Sequence, residues 1–484
     1  MSFSTARAVL LSGIALLAML DQAPAAADTL RDALSAAYGT NPTLQAARAQ
    51  QRATDETVPI EKAAGRPSIA SDASYTELLK KSDNNFTSPD RVLSANVQLG
   101  VPIYSGGAVK NSVKAAKTRV EAGQADLRGT ESAIFSQVVF AYMDVILQEA
   151  VVGLTQNQVE VLDVNLQATS DRFEIGDLTR TDVAQSQARL ALAQGDTRTA
   201  QANLVSAREI YIQLVGKAPN DLAPPPPLPN FPDSADHAVA IALEFNPDII
   251  AARERADASE YDINVAGSSR LPSVSLFSTG GYQDYFGTLG GQTSNNFSQT
   301  EKTAQVGAQV SIPIFQGGRP AALRRQAQAF AAAAMENEIA AEREVIAQTR
   351  ASYSSWLAAI ELIDSNQLAV DAATLSLEGV RAENTVGNRS ILDILDAEQE
   401  LLSTRVRLVT ARRNAYVAGF SLLAAMGRAE ARDLNLDGGT LYDPEINYKR
   451  VRGKWFDWDD NPQPQPVSTR TIDTKAQDGE IPSQ

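Results

Sequence analysis

The 484-residue chain has no cysteine and one histidine, His237. The first absence excludes disulfides, thiolate chemistry, iron–sulfur ligation and lipid attachment at an N-terminal cysteine; the second leaves no imidazole cluster for a metal. Lys and Arg total 43 against 58 Asp and Glu, a net charge of −15. No segment carries the positive stripe that phosphate backbones need, so nucleic acid is not an expected partner. Aromatics are 6% of residues although apolar residues reach 44%. Small apolar side chains are buried by close approach of backbones, as in long packed helices, more than around large aromatic plugs. No phosphate loop, nucleophile motif or zinc motif occurs, so the reading is not an enzyme, with no cofactor and no metal.

Residues 1–27 read as a signal peptide: Arg7, an apolar run from Ala8 to Leu20, then Ala25-Ala26-Ala27 before Asp28. The run is too short for a membrane helix of about 20 residues. No later stretch is expected to approach a hydrophobic span, which leaves a soluble protein outside the cytoplasm or a membrane β-structure.

The chain repeats itself. Pro102 and Pro313, Gly106-Gly107 and Gly317-Gly318, Gly176 and Gly387, and Gly216 and Gly427 are all 211 apart, while Asn41-Pro42 and Asn246-Pro247 are 205 apart. Punctuating Gly and Pro in one register point to a duplication: a first repeat at 28–222, a proline-rich linker at 223–233, a second repeat at 234–430, and a Pro- and Asp-rich tail at 431–484 expected to be largely disordered. Its Trp455-Phe456-Asp457-Trp458 cluster is a candidate docking motif.

Each repeat opens with a helix, expected at 29–64 and 235–267. Period-two alternation marks strands at about 92–103 and 303–314, with weaker partners at about 68–77 and 273–285. Pro102 and Pro313 are expected to end the ladders, and Gly106, Gly107, Gly317 and Gly318 to turn strand into helix. Long helices at 108–173 and 319–384, roughly 100 Å each, end at Gly176 and Gly387, glycines suited to positive φ. Return helices follow at 180–216 and 390–427. In the second, Ile394-Leu395, Leu401-Leu402, Leu408-Val409, Ala415-Tyr416 and Leu422-Leu423 recur every seven residues, the coiled-coil signature.

Four strands of membrane length cannot close a barrel, and an open edge is not tolerated in lipid. Two chains supply eight strands and a filled interior; three supply twelve and room for a lumen. The sequence thus suggests a trimeric tube, part membrane barrel and part helical barrel.

The segments Val101-Pro102-Ile103-Tyr104-Ser105-Gly106-Gly107, Ile312-Pro313-Ile314-Phe315-Gln316-Gly317-Gly318, Phe173 to Val183 and Val386 to Ala397 resemble the TolC-like outer-membrane factors, in order and spacing and in both repeats. The resemblance implies a homotrimer with a twelve-stranded barrel in outer-membrane lipid and a helical tunnel across the periplasm. It also implies an exit duct for efflux or type I secretion, docked to a periplasmic membrane-fusion adaptor and an inner-membrane transporter. Arg180 to Gln185 is most similar to the type I secretion branch.

Asp393 and Asp396, one turn apart, share a helix face. Their simplest reading, and that of Asp182 at the position equivalent to Asp393, is a carboxylate favoured at a helix N-terminus. The resemblance implies instead that Asp393 and Asp396 form a constriction ring, six carboxylates in a trimer, whose mutual repulsion raises some pKa values and which attracts cations. It further implies that Arg389 helps to latch neighbouring hairpins by pairing with Asp182, although Asn384 stands where the family often has a tyrosine. Gly176, Leu178, Gly387 and Ser390 are implied adaptor contacts. The alternative is a periplasmic coiled-coil adaptor or scaffold without a barrel.

Overall fold

The computed structural model describes residues 28–81, 87–228, 231–436 and 441–481; the expected signal peptide lies outside them. The first half runs α1 (Leu30–Thr40), α2 (Pro42–Asp55), α3 (Thr57–Ala63), β1 (Ser68–Glu77), β2 (Arg91–Ser105), α4 (Ala108–Glu174) and α5 (Arg180–Val215). The second runs α6 (Ala235–Phe245), α7 (Pro247–Ser268), β3 (Ser273–Asp284), β4 (Thr300–Ser311), α8 (Arg319–Thr385) and α9 (Ile391–Ala425), and α10 (Pro444–Val451) follows.

The opening helices are broken where one continuous helix was expected. Proline disfavours helical geometry in the residue before it, and Asn41 and Asn246 have ψ of 122° and 125°. Each asparagine turns that break into a cap. Its Oδ1 accepts from backbone N–H groups of the new helix, and its Nδ2 donates to the end of a return helix, Leu214 O for Asn41 and Ala425 O for Asn246. Asn-Pro therefore locks each short helix pair onto the helical hairpin of its own half.

α4 and α8 are 67 residues long, against 36 and 35 for α5 and α9. The return helices therefore flank only part of each rod. Elsewhere α4 packs on α1, α2, α3 and α7, and α8 on α6 and α7. The main core lies around α4, with Phe135, Val138, Val139 and Tyr142 against Leu204, Tyr211, Phe420 and Leu422. Along α9 the heptad residues Leu395, Leu401, Leu408, Ala415 and Leu422 are all buried. One expectation is corrected here: by length and composition α4 is apolar enough to cross a membrane. Its apolar side chains instead form the centre of the helical body.

The strands form one antiparallel sheet in the order β1-β2-β3-β4. Its register segregates the faces. Ile69 pairs with Leu99, which pairs with Ser278 opposite Val306; Tyr75 faces Leu93, and Val101 faces Leu276. The intervening rows, Asp72, Asn96, Gly281 and Thr303, then Gln98, Thr279 and Gln305, point the other way. Asn96 donates to Asp72 at 3.1 Å across that polar face. Phe277 also lies on that face, over Gly307 where a side chain would collide with the ring, as does Val92 opposite Thr76. All four helix junctions leave the same end of the sheet.

Two further expectations are corrected. Pro102 does not end its ladder: β2 continues to Ser105, paired with Ser273, past a bulge between Pro102 and Tyr104. The irregularity absorbs the missing N–H. The tail is not disordered over 441–481. α10 packs on α2, Lys62 and Arg66 bond the carbonyls of Arg452 and Lys454, and Arg208 bonds those of Asp478 and Glu480. Polar anchors hold a segment too poor in apolar residues to form a core.

Candidate functional site

The two tips are built alike. After α4 the N–H of Gly176 donates to Phe173 O and that of Asp177 to Arg172 O; after α8 the N–H of Gly387 donates to Asn384 O and that of Asn388 to Glu383 O. These paired bonds close each helix with glycine at φ +84° and +83°, where a Cβ is disfavoured. An arginine then braces each turn: Arg172 reaches Asp177 at 2.7 Å, and Arg389 reaches Glu383 at 2.8 Å. Asn384 also donates to Arg389 O at 2.7 Å, so it supports the turn from within.

The return helices start in capping boxes. Thr179 Oγ1 accepts from the N–H of Asp182 while the Asp182 carboxylate accepts from the N–H and hydroxyl of Thr179; Ser390 and Asp393 repeat the arrangement. These bonds favour the ionised form. Asp182 is held below the usual carboxylate range by the Thr179 N–H and hydroxyl, and Asp393 by the Ser390 hydroxyl and N–H, with Arg389 adding to the effect. Within one chain both aspartates sit as capping carboxylates at a helix start.

The expected Arg389–Asp182 pair is not among the ion pairs of the described residues. Arg389 is held by Glu383 and, at 3.7 Å, by Asp393 in its own hairpin. Near the tips the two hairpins are joined by Arg189 of α5 with Asp396 of α9 and by Leu395 packed with Leu162 and Leu190; further along, Arg413 of α9 pairs with Asp144 of α4. Arg381 pairs with the buried Glu398 inside the second hairpin. Sequence reasoning passed over Arg189 and Arg381. The signal was an asymmetry between repeats: at an offset of 211, Arg189 stands opposite Glu400 and Asp396 opposite Gln185. At the extreme tips Ile175 and Val386 are 81% and 71% exposed, beside Gly176, a half-buried Leu178, Gly387 and an exposed Ser390.

At the other end, Gly106, Gly107, Gly317 and Gly318 all have positive φ, from +61° to +83°. Pro313 follows β4 by two residues, so in the second half the strand does stop before its proline.

The family model described as Outer membrane efflux protein matches residues 12–217 and 238–428. The outer membrane efflux protein BepC of Brucella suis biovar 1 is 33% identical over 452 residues, covering 93% of this chain and 95% of BepC. Outer membrane protein TolC of Escherichia coli K12 is 28% identical over 419 residues, 84% of each chain. The crystal structure of outer membrane protein VceC from Vibrio cholerae superposes with a TM-score of 0.69 at 20% identity, over 82% of this chain and 96% of that one, and so shares the fold. The chain belongs to the outer membrane efflux protein family, channel proteins of the Gram-negative outer membrane that extend into the periplasm.

Proposed function

We propose that three copies of this chain form an exit duct with a twelve-stranded barrel and a periplasmic helical tunnel, passing cargo from an inner-membrane transporter through an adaptor. The observation that carries the reading is the sheet. Among the described residues its outer edges, β1 and β4, pair with nothing further, one face is apolar and the other polar. An edge in hydrocarbon leaves N–H and C=O groups unsatisfied, so β4 of one copy pairs with β1 of the next. Twelve strands leave a lumen, which the polar face lines, whereas eight are filled by side chains. α8 supports the same assembly: Phe330, Ile339, Leu362, Leu368 and Leu375 are exposed along it, an apolar surface suited to the next copy.

The tips face the periplasm, and their exposed Ile175 and Val386 suit an apolar seat for the helical hairpins of a membrane-fusion adaptor, with Gly176, Leu178, Gly387 and Ser390 beside them. Asp393 and Asp396 form the gate. Three copies bring six carboxylates together, and the capping bonds keep Asp393 ionised, so the constriction favours cations. Arg389, braced on Glu383 and Asp393, stiffens the closed tip, with Asp182 holding the equivalent turn.

Single-channel recording of the reconstituted trimer tests the gate. Asp393→Ala with Asp396→Ala should lower cation selectivity, and Arg389→Ser should raise conductance; unaltered selectivity and conductance remove the assignment. An SDS-resistant trimer in the outer-membrane fraction is expected. A soluble monomer overturns the duct and favours a periplasmic scaffold.

A further inference from the structure

The chain has three tryptophans, and two of them, Trp455 and Trp458, lie with Phe456 in one short loop after α10. They are 56%, 93% and 81% exposed. The loop is held in shape. The N–H of Lys454 donates to Val451 O, that of Asp459 to Phe456 O, and Lys454 Nζ lies 3.1 Å from the Asp459 carboxylate. The loop is also held in place. Arg66 donates to Lys454 O at 2.6 Å while its guanidinium lies 4.6 Å over the Trp455 ring, and Lys62 donates to Arg452 O at 2.7 Å. Upstream, α10 is pinned by the bond from Asn447 to the buried Asp55 and by buried Val451. A segment fixed this firmly in order to present three large apolar side chains outward has a surface to meet.

Its position says which surface. Arg66 precedes Ser68, the first residue of β1, by two residues, at most about 7 Å of chain. The loop therefore sits at the helix-bearing end of the sheet, level with the start of the strands, where Tyr104 of β2 and Phe315 beyond β4 are also exposed. In the duct reading that level is the periplasmic boundary of the outer membrane, the depth at which tryptophan is favoured because its ring is apolar and its N–H is polar. The surrounding cations, Lys62, Arg66, Arg450 and Arg452, suit phospholipid phosphates, and Asp457, Asp459 and Asp460 point to a loop that dips in at the headgroups without passing deeper.

We propose that Trp455, Phe456 and Trp458 form an interfacial anchor for the phospholipid leaflet on the periplasmic side, carried by the tail and continuous with the membrane face of the sheet. This rests on the duct reading. The anchor fixes the tail, and through Arg66 and Lys62 the start of β1, to the membrane surface.

The test uses the full-length trimer carrying Trp356→Phe, in vesicles of phosphatidylethanolamine and phosphatidylglycerol with acyl chains brominated at a shallow or a deep carbon. The two tail tryptophans should be quenched, more by the shallow bromine than by the deep one. Adding Trp458→Phe should remove about half of the quenched signal, as one of two interfacial tryptophans is lost. Conducting vesicles whose tryptophans are not quenched overturn the anchor alone. If, in addition, Phe456→Ser with Trp458→Ser dissociates the trimer, the loop meets a second copy instead, and the lipid assignment is equally overturned. Vesicles that bind no protein and show no conductance overturn the duct reading, and the anchor with it.

Discussion

Replacing Asn447 with alanine tests whether the tail is docked by the buried polar cluster on α2. Asn447 Nδ2 donates at 2.6 Å to Asp55 Oδ2, while Gln51 Nε2 donates at 2.9 Å to Oδ1 of the same buried carboxylate. A hydrogen bond to a charged group contributes about 1.5–3 kcal/mol. Gln51 remains in the variant, so we take about 2 kcal/mol, roughly thirtyfold in the opening equilibrium of α10. Val451 still holds the helix, so the opening is local. Hydrogen exchange over 444–451, corrected for intrinsic rates, should accelerate by about that factor, while amides of α4 stay as they were. The effect should also depend on pH. Burial pushes the Asp55 carboxyl up against the pull of Asn447 and Gln51, and losing Asn447 raises it further. The Asn447 bond pulls the carboxyl down, so it favours the ionised form, and its contribution to docking is full at pH above the Asp55 titration and falls as pH drops through it. The defect should therefore shrink on acidification. A defect that grows at low pH, or loss of protection spread equally into α4, refutes the reasoning.

Two further outcomes follow from the junctions and tips. Gly106 and Gly317 both have positive φ, but a Cβ at Gly106 lies 2.7 Å from Ser268 O whereas nothing lies within 4 Å of one at Gly317. Gly317→Ala should cost about 1–2 kcal/mol for the left-handed conformation, and Gly106→Ala clearly more, read as the yield of folded trimer; equal yields refute the clash. Arg189→Ser leaves Asp396 without its cation. The pair is partly exposed and contributes about 1 kcal/mol or less, so thermal stability should barely move while single-channel cation selectivity rises; Asp396→Asn should lower selectivity, and shifts of the same sign in the two variants refute the electrostatic reading.

Whatever repeats locally in this chain was legible. The seven-residue period of α9 named the residues that are buried, the alternation in β2 and β4 placed the strands to within a few residues, and the tip glycines fixed both turns, because each signal is a property of neighbouring residues. The break at Asn41-Pro42 was equally local and was passed over in favour of a continuous helix; the restriction that proline places on its predecessor was the available clue. Pro102 shows the converse. The rule that proline ends a ladder is right on average and gave way here to a bulge, whose presence depends on the distant partner strand β3, where Pro102 pairs with Ser275 and Tyr104 with Val274.

The contacts that escaped are of another kind. Arg66, Lys62 and Arg208 hold the tail through the carbonyls of Lys454, Arg452, Asp478 and Glu480, and every residue offers a carbonyl. No residue type in the tail therefore advertises where it binds, and a Pro- and Asp-rich composition reads as disorder. Arg189 and Asp396 do advertise their charges, but their meeting depends on how two coiled coils are rotated against each other, which the heptad of either one leaves open. The internal duplication supplies the missing comparison. Where the two repeats carry the same residue, as at the tip glycines, the need is one that each hairpin has alone. Where they differ at equivalent positions, Arg189 against Glu400 and Gln185 against Asp396, the difference has its use between hairpins, and such asymmetric positions are where the contacts that join the two halves are to be sought.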